Sequence, residues 1–324
     1  MRDLTLIVTD GHTPAGLKAE ALAAIDRVPS AELLRARGET QAGIADWWQA
    51  LFMLPGAGRP QAAQDLALAS VAWFGLTGTR DAQLWFATPV RLMATINHVR
   101  LDAVGAPPSL HGDSLAADFN RDFAGQGLTL HADLASQWFL EIARDLSAAT
   151  IDPCRLVGGD VTESLPSGRD GPYLRRLMTE AQMWLHSRAS GPQSINGLWV
   201  WGGGRSWPDL AGRTLPMAAS DEPLLRGLWR LGDAPCVDPV ANFAQARELH
   251  AESVVATIAL ERWRNCGESQ PLLRLERDWL APAWTAISAG SIAGLGLYLN
   301  GAFTRASRRH CWRLWRARRH WAET

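Results

Sequence analysis

Residues 195–204 read INGLWVWGGG, a short apolar run that ends in three consecutive glycines. A run of this kind, bounded by turn residues, fits a strand buried on both faces. Its glycine turn has two readings. It can be a nest of backbone N–H groups that approaches a phosphate, with Arg205 beside it, or a tight reversal of the chain. GGGRSW lacks the third glycine of a dinucleotide fingerprint, and no Gly-Lys-Ser/Thr occurs, so neither common nucleotide motif is present.

Working outward, similar strand-like runs occur at 4–9 (LTLIVT), 253–260 (SVVATIAL) and 295–301 (LGLYLNG). Between them lie helical patterns. The clearest is YLRRLMTEAQMWLHSR (173–188), with Leu174, Leu177, Met178, Ala181 and Leu185 along one face. PAGLKAEALAAIDRV (14–28), SAELLRARG (30–38), PLLRGLWRLG (223–232) and LRLERDWLAPAWTAISAG (273–290) are further helices, as are IADWWQALFMLPG and QAAQDLALASVAWFG around the turn-rich PGAGRP. From Gln83 the period changes. LWFATPVRLMATINHVRL, GLTLHAD and QWFLEI are β-type runs around one helix, SLAADFNRDFAG, and GGDVTESLPSGRDGP (158–172) has the character of a return loop. The economical architecture is an open α/β sheet with helices on both faces, formed by 1–80 and 170–324, and a smaller inserted α+β subdomain over 81–169.

Of the 324 residues, 47% are hydrophobic and 20% charged, with a formal net charge of −1. That is the composition of a folded globular chain with no global field to attract nucleic acid or an acidic membrane. Lys18 is the one lysine, so the cations are arginines, suited to bidentate contacts with anions. Cys154, Cys236, Cys266 and Cys311 form no C-x-x-C pair, which removes the usual zinc-knuckle and dithiol signals. The N-terminus reads as a strand rather than a signal peptide, and no run approaches the ~20 apolar residues of a membrane span. A cytoplasmic protein with free thiols is expected.

Asp10 follows the first strand, where ligands gather in open α/β sheets, so it is a candidate metal ligand. Its other reading is an Asx turn that caps a helix. His98, His111 and His131 could rebuild a metal site with Asp102, Asp113 or Asp133, but none shows a helical ligand spacing, and ordinary hydrogen-bonded roles explain them as well. The sixteen tryptophans are scattered as core packing scatters them. The exception is the C-terminal tail. There Arg305, Arg308, Arg309, Arg313, Arg316, Arg318 and Arg319 interleave with Trp312 and Trp315. This suits nucleic acid, anionic lipid or an acidic protein; the alternative is a final element that packs its tryptophans and shows its arginines to water.

Taken in order, the segments resemble the archaeal-type cofactor-independent phosphoglycerate mutases of the alkaline phosphatase superfamily. LTLIVTDG is similar to that family's first strand with its metal-binding Asp-Gly. PGAGRPQAAQDLALASVAWFG is similar to the loop and helix that carry the nucleophilic serine. SLAADFNRDFAGQGLTLHADLASQWFLEI and GGDVTESLPSG resemble the inserted substrate-covering subdomain and its exit loop. LMTEAQMWLHSRASGPQSINGLWVWGGG followed by LLRGLWRLG resembles the helix, the glycine-ended strand and the next helix. With LAPAWTAISAG and the basic WRLWR end, the whole is closer still to the RpfE-type regulatory proteins of bacteria.

The resemblance implies two divalent metals that activate a serine and clamp a phosphoryl group. The sequence keeps little of that set. The Gly-Ser-Asp of the family falls on Pro60, Gln61 and Ala62, and an amide cannot serve as nucleophile. The Asp-x-x-x-His expected after SVVATIAL reads ERWRNCGE, which offers Glu261 but no histidine, and the later Asp-His pair is absent from LGLYLNG. Asp160 is what remains in the exit loop.

The expectation is therefore a non-catalytic protein with a degenerate metal/phosphate site. Its remnants would be Asp10, Asp160, Gly202, Gly203, Gly204 and Arg205, with Asp10 and Glu261 as ligands only if a metal is held. Such a protein would be regulatory or accessory, with no cofactor and an unidentified protein partner at the Arg/Trp-rich end rather than nucleic acid. The alternative is a diverged phosphotransferase or phosphatase that uses Mn, Mg or Zn.

Overall fold

The computed structural model describes residues 1–12, 26–54, 56–57, 65–80, 83–96, 98–105, 112–134, 137–188, 195–318 and 320–322. Most of the helix expected over 14–28, together with Gln61 and His111, lies outside them. In chain order the strands are β1 (Asp3–Val8), β2 (Glu39–Ala42), β3 (Leu84–Ala94), β4 (Val99–Val104), β5 (Leu128–Leu134), β6 (Gln137–Ile142), β7 (Gly197–Trp201), β8 (Met217–Ala219), β9 (Cys236–Val237), β10 (Ser253–Ile258), β11 (Gly294–Leu299) and β12 (Ala302–Ser307). The helices are α1 (Pro29–Arg37), α2 (Trp47–Leu51), α3 (Leu68–Thr77), α4 (Gly112–Asp122), α5 (Gly171–His186), α6 (Pro223–Leu231), α7 (Phe243–Glu248), α8 (Leu260–Asn265), α9 (Pro271–Leu275) and α10 (Ala281–Ala289).

The chain divides into two compact units, 1–60 with 209–324 and 61–208. The first is built on a seven-stranded sheet in the order β2-β12-β11-β1-β10-β8-β9. Strands β11, β1, β10, β8 and β9 run parallel; at one edge β12 runs antiparallel to β11, and β2 runs antiparallel to β12. β1 is central because DLTLIV buries both of its faces. Leu4, Leu6 and Val8 join the core formed with Leu34 of α1 and with Trp279, Ala283 and Ile287, while α2 packs on β1 and β11. The α/β class is the one expected from the alternation of strands and helices.

The stretch 273–290, expected as one helix, is α9 and α10 joined by a π turn at Glu276–Leu280. The Ala281 N–H reaches back five residues to the Glu276 carbonyl. Pro282 follows immediately; it cannot donate, and its ring crowds the carbonyl four residues back, so a widened turn relieves the conflict.

The second unit is an antiparallel sheet in the order β4-β3-β6-β5, with β7 added on the free side of β3. Its core joins Trp85, Leu101, Phe119, Leu174 and Trp199. The unit boundaries differ from those expected. β7 lies in the stretch 170–324 expected to belong to the core, but it pairs with Phe86–Val90 of the second unit, and α3, in the stretch 1–80, also belongs there. An apolar run buried on both faces has the same pattern in either sheet, so periodicity does not select its partner.

Just before β7, the Asn196 side chain extends the ladder. Its Oδ1 accepts from the Leu92 N–H at 2.7 Å and its Nδ2 donates to the Leu92 carbonyl at 2.7 Å. Asn196→Ala removes both bonds at once and should lower unfolding free energy by about 1–2 kcal/mol, read from the urea midpoint at unchanged slope.

Candidate functional site

Parallel strands deliver their following residues to one edge of the sheet. In the first unit β1 delivers Thr9 and Asp10, β10 delivers Leu260 and Glu261, and β8 delivers Ser220 and Asp221. Asp10 is half-buried, and each of its oxygens is used: Oδ1 accepts from the Leu260 N–H at 2.8 Å and Oδ2 from the Glu261 N–H at 2.6 Å. The carboxylate thus ties β1 to the first turn of α8, whose amides lack partners within the helix. Burial raises its pKa, the two amide bonds pull it down, and the neighbouring Glu261 charge pushes it up again; the net direction is upward.

The other carboxylates of this edge face arginines. Glu261 bonds Arg264 and Asp221 bonds Arg262. Ser220 is completely buried, its hydroxyl shared with Thr257 Oγ1 and accepting from the Glu222 N–H at 2.9 Å. Arg226 donates to the Ser220 carbonyl and pairs with Asp238. Burial pushes the nearby Cys236 thiol up, away from the reactive thiolate. Sequence reasoning missed the Ser220–Asp221–Arg262 group because β8 has three residues, too few for a periodic signal; the SDEP that follows it was the available hint.

Of the residues expected to bind, Asp10 and Glu261 come together here. Asp160 and the glycine turn belong to the second unit. Asp160 Oδ1 accepts from both the N–H and the hydroxyl of Thr162, an Asx turn that holds its carboxyl below the usual range. The glycines have a packing explanation. A Cβ on Gly202 would lie 2.7 Å from Phe86 Cδ2, one on Gly203 would run into the Trp85 ring, and one on Gly204 would lie 2.5 Å from the Asp65 carbonyl oxygen. Three amides of the turn bond protein: Gly202 N–H donates to Thr150 Oγ1, and Arg205 and Ser206 N–H donate to the Asp65 carbonyl. The Arg205 guanidinium pairs with Asp145.

His131 lies 3.5 Å from Glu141 and against the Trp73 ring, and the Asp102 carboxyl is held below its ordinary range by Arg91 and then Arg100. Among the described residues no group of three or more His, Cys, Asp or Glu side chains could hold a metal ion. These residues by themselves therefore do not fit the two-metal centre that the sequence resemblance implies. No disulfide joins Cys154, Cys236, Cys266 and Cys311.

No protein-family model matches the chain, and no curated protein matches it. Among solved structures it is similar to the cofactor-independent phosphoglycerate mutase of Thermoplasma acidophilum, at 13% identity over 94% of this chain and 89% of that one, with a TM-score of 0.38. It is also similar to the PH0037 protein of Pyrococcus horikoshii, at 12% identity over 94% and 87%, with a TM-score of 0.42. Among the described residues, no helix is long and apolar enough to cross a membrane.

Proposed function

We propose that this chain is a non-catalytic, phosphoglycerate-mutase-like protein of the RpfE type that works by binding, in a regulatory or accessory role. The observation that carries the reading is the use made of the strand-end carboxylates. Asp10 spends both oxygens on backbone amides, and Glu261 and Asp221 are each met by an arginine. A divalent cation, which seeks several anionic oxygens at once, would have to displace those guanidinium groups. In sequence, an amide (Gln61) stands where the resemblance places a nucleophilic hydroxyl.

Purified chain is expected to turn over neither p-nitrophenyl phosphate nor 3-phosphoglycerate with Mn²⁺, Mg²⁺ or Zn²⁺. Metal-dependent turnover that Asp10→Ala abolishes would overturn the proposal. It would favour the second reading, a diverged metal-dependent phosphotransferase or phosphatase. The meeting of Asp10 with Glu261 at the sheet edge is the observation on that side.

A further inference from the structure

Most tryptophans in this chain do what tryptophans usually do: Trp199, Trp229 and Trp279 are each 1% exposed. Trp312 and Trp315 depart from this, at 69% and 79%, and Leu314 between them is 67% exposed. This is not the fraying of a loose end, because both flanks are fastened. On one side His310 is buried and accepts from the Ser307 N–H at 3.0 Å, Arg37 donates to the Cys311 carbonyl, and Arg313 donates to the Arg37 carbonyl. On the other, Trp321 is buried, its indole N–H donates to the Asp26 carbonyl at 2.9 Å, and Arg35 donates to the Trp321 carbonyl. Between these anchors, Trp312, Leu314 and Trp315 stand exposed on the segment that runs to Arg318.

Charge accompanies the apolar tips. No Asp or Glu occurs between Asp278 and Glu323. Glu39 on β2 meets Arg309 and His310, but Arg305, Arg308, Arg316 and Arg318 are exposed and, among the described residues, form no salt bridge. With the whole chain at −1, this is a local cationic rim rather than part of a global field.

We propose that the turn from Trp312 to Arg318 docks this protein on an anionic lipid surface. Two indoles and a leucine inserted at the headgroup level, with arginines beside them in the chain to meet lipid phosphates and carboxylates, form the arrangement that binds such an interface. A bilayer requires neither a pocket nor shape complementarity. A stable protein partner requires about 800 Å² from each side, more than three side chains supply. Single-stranded nucleic acid would use the ring faces but leave Leu314 without a role, and WRLWRAR contains no Asn or Gln to read a base edge.

The inference is independent of the proposed function and is tested separately, by co-sedimentation of the whole chain with phosphatidylserine/phosphatidylcholine vesicles. Binding is expected to these vesicles, to be lost on pure phosphatidylcholine, and to weaken as salt rises. Arg316→Ala with Arg318→Ala should weaken it about 25-fold, from about fivefold per arginine. Trp312→Ala with Trp315→Ala should weaken it by roughly tenfold or more while leaving the urea midpoint unchanged, because both rings are exposed. Failure to bind phosphatidylserine vesicles, or binding that both pairs of substitutions leave intact, overturns the proposal. So does loop-dependent binding of a single-stranded oligonucleotide or an acidic polypeptide without vesicle binding.

Discussion

Gly203→Ala should cost about 3 kcal/mol of unfolding free energy, at the upper end of what overpacking a buried position costs. The added methyl would overlap Trp85 Cδ2 and Cε2 and sit 2.6 Å from Cε3. The ring has little room to yield: Trp85 is 4% exposed, lies in β3, and is held in register opposite Leu140 of β6. Relief would have to come from the turn itself, which Gly202 fixes through its bond to Thr150 and the Ala69–Gly202 backbone bond. Gly212→Ala is the control. It has a positive φ of 71° but nothing within 4 Å of the new atom, so only the left-handed backbone penalty of about 1 kcal/mol applies. Urea midpoints at unchanged slope measure both. If Gly203→Ala came within about 0.5 kcal/mol of the parent, the packing account would fail and an anion-binding nest would regain the explanation.

The elements most legible in the sequence were those with a strong local pattern. SVVATIAL is β10, LGLYLNG is β11, and PLLRGLWRLG is α6, which stops at Gly232. The apolar stripe of 173–188 is the buried face of α5, with Leu174, Leu177, Met178, Ala181 and Leu185 all inside. What stayed illegible was long-range. INGLWVW was readable as a buried strand, yet its antiparallel place beside β3 depends on residues more than a hundred positions away. IADWWQALFMLPG had a helical composition, but α2 keeps only Trp47–Leu51 of it, and Ile44, Phe52 and Leu54 are buried outside the helix. The tail was open between packing and display, and it does both: Trp321 packs, while Trp312 and Trp315 are displayed. Local composition cannot show which indole meets a core that other segments build. For the same reason Asp10 was legible as a strand-end carboxylate, but its partners, the amides of Leu260 and Glu261, are some 250 positions distant.

Asp10→Ala should destabilise the first unit by about 2–3 kcal/mol, since it leaves the Leu260 and Glu261 amides at the start of α8 without their acceptors. Asp10→Asn keeps one acceptor and should cost less, with an unusual dependence on pH. The native pKa is raised from the ordinary 3.8 because burial outweighs the amide bonds, so the folded state holds this proton more tightly than the unfolded chain does. Stability contributed by Asp10 is therefore greatest below 3.8 and declines as pH climbs from there to the raised native value, staying flat above it. Asp102, Asp122, Asp170 and Asp278, held down by arginine, indole or amide partners, act oppositely: their contribution is present above 3.8 and is lost as pH falls through their lowered values. Those contributions cancel in the difference between parent and Asp10→Asn, so the substitution should cost more in mild acid than at neutral pH. Metal binding would reverse this order. A cation on Asp10 would favour its charged form, make the substitution most costly at neutral pH, and raise the parent's melting temperature over the variant's when Mn²⁺ is added. No such Mn²⁺-dependent gap is expected from a carboxylate that already serves as a strap between β1 and α8, and its appearance in paired thermal melts would put a metal where the structure puts two backbone amides.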